Sequence, residues 1–229
     1  MATKALLNDL TQAYQAHTGV SVQIESVGGV DAAKRVQAGE VFDMVLLASD
    51  AIDKLIASGH VMAGSRSDWV RSPVAVAVQA GAARPDLSNE AALKAAVLAS
   101  PTLSYSTGPS GVYLEKLFDR WGIADEVKAR IVVPPPGTPV GALVASGKAA
   151  LGFQQLSELI ALPGIDVLGT LPADVAFITT FSSGIPAVIA GDATRVAAVQ
   201  SFYLKRGLVD GHSNFLRRKP SRSIACWTT

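Results

Sequence analysis

The 229-residue chain has a single cysteine, Cys226, among its last residues. One thiol forms no internal disulfide and no cysteine-based zinc site. Histidine is almost as scarce. His17, His60 and His212 stand far apart, whereas metal sites need clustered ligands, so no metal and no cofactor are expected. Charge of one sign is also missing, with 20 basic against 19 acidic residues and a net charge of +1. That balance gives no reason to expect nucleic acid or an anionic membrane surface. The one basic run, Arg217 to Lys219, is too short to change this. No apolar stretch reaches the roughly 18–20 residues of a membrane span. No serine sits in a G-x-S-x-G elbow, and no Gly-Lys-Ser/Thr follows the GPSG turn, which excludes a nucleophile elbow and a P-loop. The chain opens directly with MATKALLNDL, without a secretory leader. Read literally, that is a cytoplasmic product; it equally suits a mature or truncated form of an exported protein.

What the chain does have is a regular alternation. Hydrophobic residues make up 49% and charged residues 17%, which suits an α/β protein of one large or two small domains. Leu6, Leu7, Leu10, Ala13 and Tyr14 share one helical face, and Thr18–Gly19 ends that helix. VSVQIESV reads as a strand. Gly28 and Gly29 follow at a turn, and Asp31 can cap a helix that Gly39 closes. FDMVLLAS is a short apolar run of the buried parallel type, and Ser49–Asp50 starts the next helix. WVRSPVAVAVQAG reads as a long strand, with Arg71 and Ser72 near its start and Pro73 marking an edge or an irregular beginning. A second alternation follows: the TLSYST strand, a turn of Gly108, Pro109, Ser110 and Gly111, the VYLEKLFDRWG helix, and an RIVVP strand. AALGFQ is a strand, 155–161 a helix, GIDVLGTLP and VAFITTFSSGIPAVIAG strands, and 192–204 a helix. Strand–helix alternation predicts doubly wound parallel sheets, whose ligands bind at the strands' carboxyl ends.

Two strand-to-helix turns rich in glycine carry the functional signal. A helix N-terminus has free N–H groups and partial positive charge, and glycine lets a ligand approach the backbone closely. Two such turns predict a small bound anion.

Taken in order, these segments resemble the extracytoplasmic solute-binding proteins of the type II periplasmic fold, with the molybdate-binding branch nearest. The resemblance covers roughly residues 1–200. It runs through a helix start at Met1-Ala2-Thr3-Lys4, the Gly28–Gly29 turn, the Ala48-Ser49-Asp50 step, the Pro109-Ser110-Gly111-Val112-Tyr113 helix start and the Gly141 to Gly152 segment. It implies two lobes, each a mostly parallel sheet flanked by helices: 1–79 as the first part of lobe 1, 80–171 as lobe 2, and 172–229 as the return to lobe 1. It also implies an interlobe cleft for a small organic anion or oxyanion, lined by Ala2, Thr3, Gly28, Gly29, Val30, Ser49, Arg71, Ser72, Gly108, Pro109, Ser110, Gly111, Val112, Gln154 and Gln155. An ABC-transporter permease is the implied partner, and the periplasm the implied location.

Departures from that pattern shift the expected ligand. Gln155 stands where the branch carries a tyrosine, the first turn lacks the usual serines, and Arg71 is an added cation. A guanidinium offers bidentate binding to a carboxylate, and the two glutamines add amide donors. A di- or tricarboxylate therefore fits better than a tetrahedral oxyanion. The segments ESVGGVDAAKR, LASDAI, STGPSGV and GFQQLSEL are also similar to a branch of this fold that includes tricarboxylate (aconitate) isomerase, so the alternative activity is a proton-shift isomerisation in the same site. Glu25, Asp31, Asp50 and Tyr113 are the open alternatives for the proton carrier, with Asp31 and Asp50 read most simply as helix N-caps and Tyr113 as packing. The family pattern also places a strand ahead of the first helix, where this sequence starts at Met1. The tail after about Phe202, polar and basic, reads as a foreign or frame-shifted end rather than a folded element. A truncated or misassembled form of a longer exported protein is the corresponding expectation.

Overall fold

The structure, a computed structural model, describes residues 3–135, 137–204 and 224–228. In chain order its elements are α1 (Lys4–Thr18), β1 (Val22–Ser26), α2 (Gly29–Gln37), β2 (Met44–Ala48), α3 (Ser49–Ala57), β3 (Ser67–Gln79), α4 (Glu90–Ala99) and β4 (Leu103–Tyr105). There follow α5 (Pro109–Arg120), α6 (Ala124–Lys128), α7 (Val140–Ala145), β5 (Leu151–Gln155), α8 (Leu156–Leu159), β6 (Ile165–Thr170), β7 (Ile178–Gly184), α9 (Ala193–Leu204) and β8 (Ile224–Thr228). The chain forms two compact units, Met1–Val70 with Thr180–Thr229, and Arg71–Thr179. It passes from the first to the second within β3 and returns within β7.

In the first unit β2 is the central strand and is buried along its whole length. Met44 and Leu46 face one side, where they meet Leu7, Leu10 and Tyr14 of α1 and Val199 and Phe202 of α9. Val45 and Leu47 face the other, against Ala32 and Val36 of α2 and Ile52 and Leu55 of α3. Burial on both faces explains why this strand reads as an unbroken apolar run. At the end of α1, Gly19 adopts φ 72° and returns its N–H to the Gln15 carbonyl, a conformation that favours glycine. Arg195 of α9 is paired with the buried Asp43 carboxylate just before β2.

The tail differs from its expectation. Residues 205–223 lie outside the described residues, but Ile224–Thr228 is a strand. It runs parallel to β1, with Val22 opposite Ile224 and Ser26 opposite Thr228, and parallel to β2, with Met44 opposite Cys226. β8 thus lies between β1 and β2, giving both a ladder partner where the sequence reading foresees a missing strand. Ile224, Ala225, Cys226 and Trp227 form a short apolar run within the otherwise polar, basic tail. β2 continues the sheet on its other side with antiparallel β7.

In the second unit the sheet is more mixed than a doubly wound pattern. β4 and β5 run parallel, while β3 runs antiparallel to both β5 and β6. β3 is the strand by which the chain enters the unit, so its direction is set by the crossover rather than by a βαβ connection. Pro73 immediately precedes the paired stretch, whose ladder to β5 starts at Val74, so its missing N–H interrupts no pair there. The expected RIVVP strand is reduced to a single bridge between Ile131 and Leu103. α5 buries Leu114, Leu117 and Phe118 at i, i+3 and i+4 against Val74, Val76 and Phe153 of the sheet. Each such side chain contributes about 1.5–3 kcal/mol on burial. On the far side, a Cβ at Gly152 would come within 2.4 Å of Val144, so this glycine lets α7 lie directly on β5, and one at Gly141 of α7 would come within 2.5 Å of Leu162 and 3.2 Å of Leu159.

Removing residues 224–229 is expected to uncouple β1 from β2 and lower the thermal midpoint of the chain measurably. An unchanged melting curve after that deletion would mean that β8 adds nothing to the first unit's sheet.

Candidate functional site

Parallel strands alternating with helices give a strict polarity. Every helix that follows such a strand starts at the strand's carboxyl end, and a helix that precedes one ends at its amino end. In the first unit this places the N-termini of α1, α2 and α3 at one sheet edge, because β1 and β2 both run parallel to β8. Thr3, Gly28, Gly29, Val30 and Ser49 occupy those helix starts. Ala2 lies outside the described residues.

Among the described residues, six helices have eight or more residues, and two of these are capped by side chains. Asn89 Oδ1 accepts the Ala92 N–H of α4 at 2.9 Å. Asp192 Oδ1 accepts the Thr194 and Arg195 N–H groups of α9, each at 3.1 Å. The other four, α1, α2, α3 and α5, have no side-chain cap. They are also the four helices at which the sequence placed ligand-binding residues. Their leading N–H groups have neither an intrahelical partner nor a side-chain cap.

Asp31 does not cap α2. The helix starts two residues earlier, with Gly28 at the cap, so Asp31 lies in the first turn. Asp50 likewise lies inside α3, whose cap is Ala48, and pairs with Lys54 at 3.9 Å. Both carboxylates are exposed. Glu25 is exposed and pairs with Arg35 at 3.4 Å. Beside α2, the Ser26 Oγ is buried without a hydrogen-bond partner. Sequence reasoning quoted this residue in the turn but did not choose it.

The second unit holds a denser constellation. Gly108, Pro109, Ser110, Gly111 and Val112 form the cap and first turn of α5, with Pro109 suited by its fixed φ to that position. The close approach here is severe. A Cβ on Gly111 would lie 1.7 Å from the Ser106 carbonyl oxygen, so only glycine lets β4 hand over to α5 this tightly. Ser106 Oγ and Ser110 Oγ lie 3.0 Å apart at the turn. Ser106 is a hydroxyl that the sequence reading missed; its place two residues before Gly108 in a strand-to-helix turn was the available signal.

β5 is parallel to β4 and antiparallel to β3, so its carboxyl end meets both the start of α5 and the early part of β3. Gln155 stands opposite Val74, with Arg71 and Ser72 just upstream. Ser72 is buried, and its hydroxyl donates to Ser157 Oγ at 3.1 Å. Arg71 is exposed and makes no hydrogen bond or ion pair among the described residues.

The two glutamines do not act together, as their adjacency suggested. Strand alternation sends them to opposite faces. Gln154 shares the Ala75 face, towards Leu159, and its amide N–H is hydrogen-bonded to Glu158. Gln155 shares the Val74 face, and its amide N–H donates to Thr179 Oγ1 at 2.7 Å. One N–H of each amide is therefore engaged inside the protein, while both carbonyl oxygens, Gln154 Oε1 and Gln155 Oε1, are buried without a partner.

The ionisable groups sort clearly. Burial pushes the Glu158 carboxyl up from its ordinary range, against the opposing pull of the Gln154 amide. Burial, with Glu115 adding to it, pushes the Tyr105 phenol up to about 12. Tyr113 donates to the Val175 carbonyl at 2.9 Å and stacks on Phe177, and burial raises its phenol too. Neither tyrosine is poised to ionise near neutrality. No group of three or more metal-ligating side chains occurs among the described residues, and no described helix is long and apolar enough to cross a membrane.

A family model of bacterial extracellular solute-binding proteins matches residues 1–204. This chain belongs to that family. A Pseudomonas protein named aconitate isomerase is 41% identical over 187 residues, covering 78% of this chain and 70% of that protein. Among solved structures, the periplasmic molybdate-binding protein of Azotobacter vinelandii superposes with a TM-score of 0.70 at 22% identity, covering 90% of each chain. A tungstate-binding protein from Desulfovibrio alaskensis gives 0.60 at 16% identity, covering 92% of this chain and 89% of the other. The fold is thus that of the periplasmic binding proteins, as the order of motifs implied, and the family is extracytoplasmic.

Gly111→Ala is expected to cost more than about 1–3 kcal/mol, the usual range for overpacking, because the clash is with backbone that cannot rotate away. Gly28→Ala is expected to be near neutral for stability, since its Cβ would meet nothing closer than 3.5 Å and its φ is −60°. Chemical denaturation of the two variants checks the contrast, and equal losses would contradict it.

Proposed function

We propose that this chain captures a small polycarboxylate anion as a solute-binding protein, delivering it to an ABC-transporter permease in the extracytoplasmic space. The observation that carries this reading is the pattern of capping. Side chains cap α4 and α9, yet leave α1, α2, α3 and α5 bare at the strands' carboxyl edges. Bare helix ends favour anions through both free N–H groups and the helix dipole. Arg71, without a partner among the described residues, favours a planar carboxylate, which a guanidinium can grip with two parallel hydrogen bonds. The relative named for a tricarboxylate, at 41% identity, supports the same ligand class. The molybdate- and tungstate-binding proteins share the fold at far lower identity.

A second reading, isomerisation of aconitate, is favoured by that same relative. It requires a group that exchanges a proton near neutrality. Glu25, Asp31 and Asp50 are exposed, and Tyr113 is tied to Val175. Glu158 is the better candidate, because its carboxyl is driven towards the protonated form by burial.

Incubation with trans-aconitate separates the two readings. Formation of the cis isomer sinks the pure-binder reading, and saturable binding without conversion sinks the isomerase. If conversion occurs, Glu158→Gln should reduce it by about 10²–10⁴-fold, the usual contribution of a general acid–base group, with binding retained. In either case Arg71→Ala should weaken polycarboxylate binding by about 1.5–3 kcal/mol by calorimetry, the range for a hydrogen bond to a charged group. An unchanged affinity would remove Arg71 from the site.

A further inference from the structure

Gln155 is the last residue of β5 and only 3% exposed. Its amide N–H is used by Thr179, and its carbonyl oxygen, although shut off from water, has no donor. A buried acceptor left in that state is destabilising, so such atoms in native proteins call for an explanation. Its position suggests one. Gln155 faces the same side as Val74 and Phe153, the side against which α5 packs. It also lies at the same strand edge as the bare α5 N-terminus and the Ser106–Ser110 hydroxyl pair, because β4 and β5 run parallel. Donors come from α5, and a lone acceptor comes from Gln155.

We propose that Gln155 Oε1 accepts a hydrogen bond from an O–H carried by the bound anion, so that this end of the second unit selects anions bearing a proton donor over fully deprotonated ones. The proposal rests on the reading of the α5 end as an anion site. The ligand class is a hydroxy acid, a carboxylate with one un-ionised carboxyl, or a protonated oxyanion. A fully deprotonated tetrahedral oxyanion brings only acceptors and would set one against the amide oxygen, with no donor between them. Thr179 acts as a positioning residue: by accepting from the amide N–H, it turns the oxygen towards the ligand side.

Two ligand pairs test this by calorimetry on the intact protein at about pH 8, where inorganic phosphate is a dianion that keeps one proton. The first pair is citrate against tricarballylate, which lacks only the hydroxyl. The second is hydrogenphosphate against sulfate. The donor-bearing member should bind about tenfold more tightly, the equivalent of one hydrogen bond of ordinary strength. Gln155→Met should abolish that preference by weakening the donor-bearing member of each pair, and Thr179→Val should reduce it. Equal affinities for citrate and tricarballylate would overturn the inference and leave the polycarboxylate reading standing. Discrimination of hydrogenphosphate over sulfate, with neither citrate nor tricarballylate bound, would support the inference and sink the polycarboxylate reading. A preference for sulfate would show the amide N–H₂, not the oxygen, facing the ligand, and would overturn the inference. Binding of neither pair would overturn both.

Discussion

The direction of the strands decides where this protein's chemistry can sit. In the first unit, β1, β8 and β2 run the same way, so the helices woven between them start at one edge. In the second, parallel β4 and β5 repeat the arrangement with α5. A helix start is a cluster of N–H groups that must find acceptors, and α4 and α9 find them in Asn89 and Asp192. At α2 and α5 the cap is glycine, Gly28 and Gly108, and no side chain answers those donors.

The two units solve the packing behind these edges differently. β2 is sandwiched between α1 and α9 on one side and α2 and α3 on the other, so its alternating residues are all apolar. In the second unit the tight point is the handover at Gly111, where helix and strand backbone come too close for any side chain. That closeness fixes the start of α5 relative to the end of β4. Gly152 of β5, under α7, and Gly141 of α7, against Leu159 and Leu162, make a purely structural use of the same property. Glycine in this chain therefore has two separate meanings, and only its surroundings tell them apart.

Polar residues at the carboxyl end of β5 show why a site is harder to read than a fold. Gln154 and Gln155 are neighbours in sequence but belong to opposite faces, one engaged by Glu158 and one by Thr179. One N–H of each amide is engaged inside the protein, and each carbonyl oxygen stays unanswered. Glu158 acquires its raised proton affinity from burial within α8, a property with no trace in the order of residues. Ser106 and Thr179 were passed over because a lone hydroxyl at a strand end looks like any other polar residue.

Most of the element order was legible in the sequence, because it rests on local periodicity. The apolar run of β2, the α1 and α5 stripes and the strand–glycine–helix turns all carry their own signal. The helix starts themselves were legible for the same reason, and with their order the family. Three features depended on contacts distant in sequence. The tail's strand β8 pairs with β1 and β2, some 180–200 residues away in the chain, so its place in the sheet is set by distant partners. The reversal of β3 follows from the crossing between units, not from its residues. The role of each glutamine was set by which partner its amide met across the fold. Sequence by itself determined which segments become helices and strands, since that is a matter of near neighbours; only tertiary structure decided which polar atoms remain unanswered, since that requires every partner to be in place.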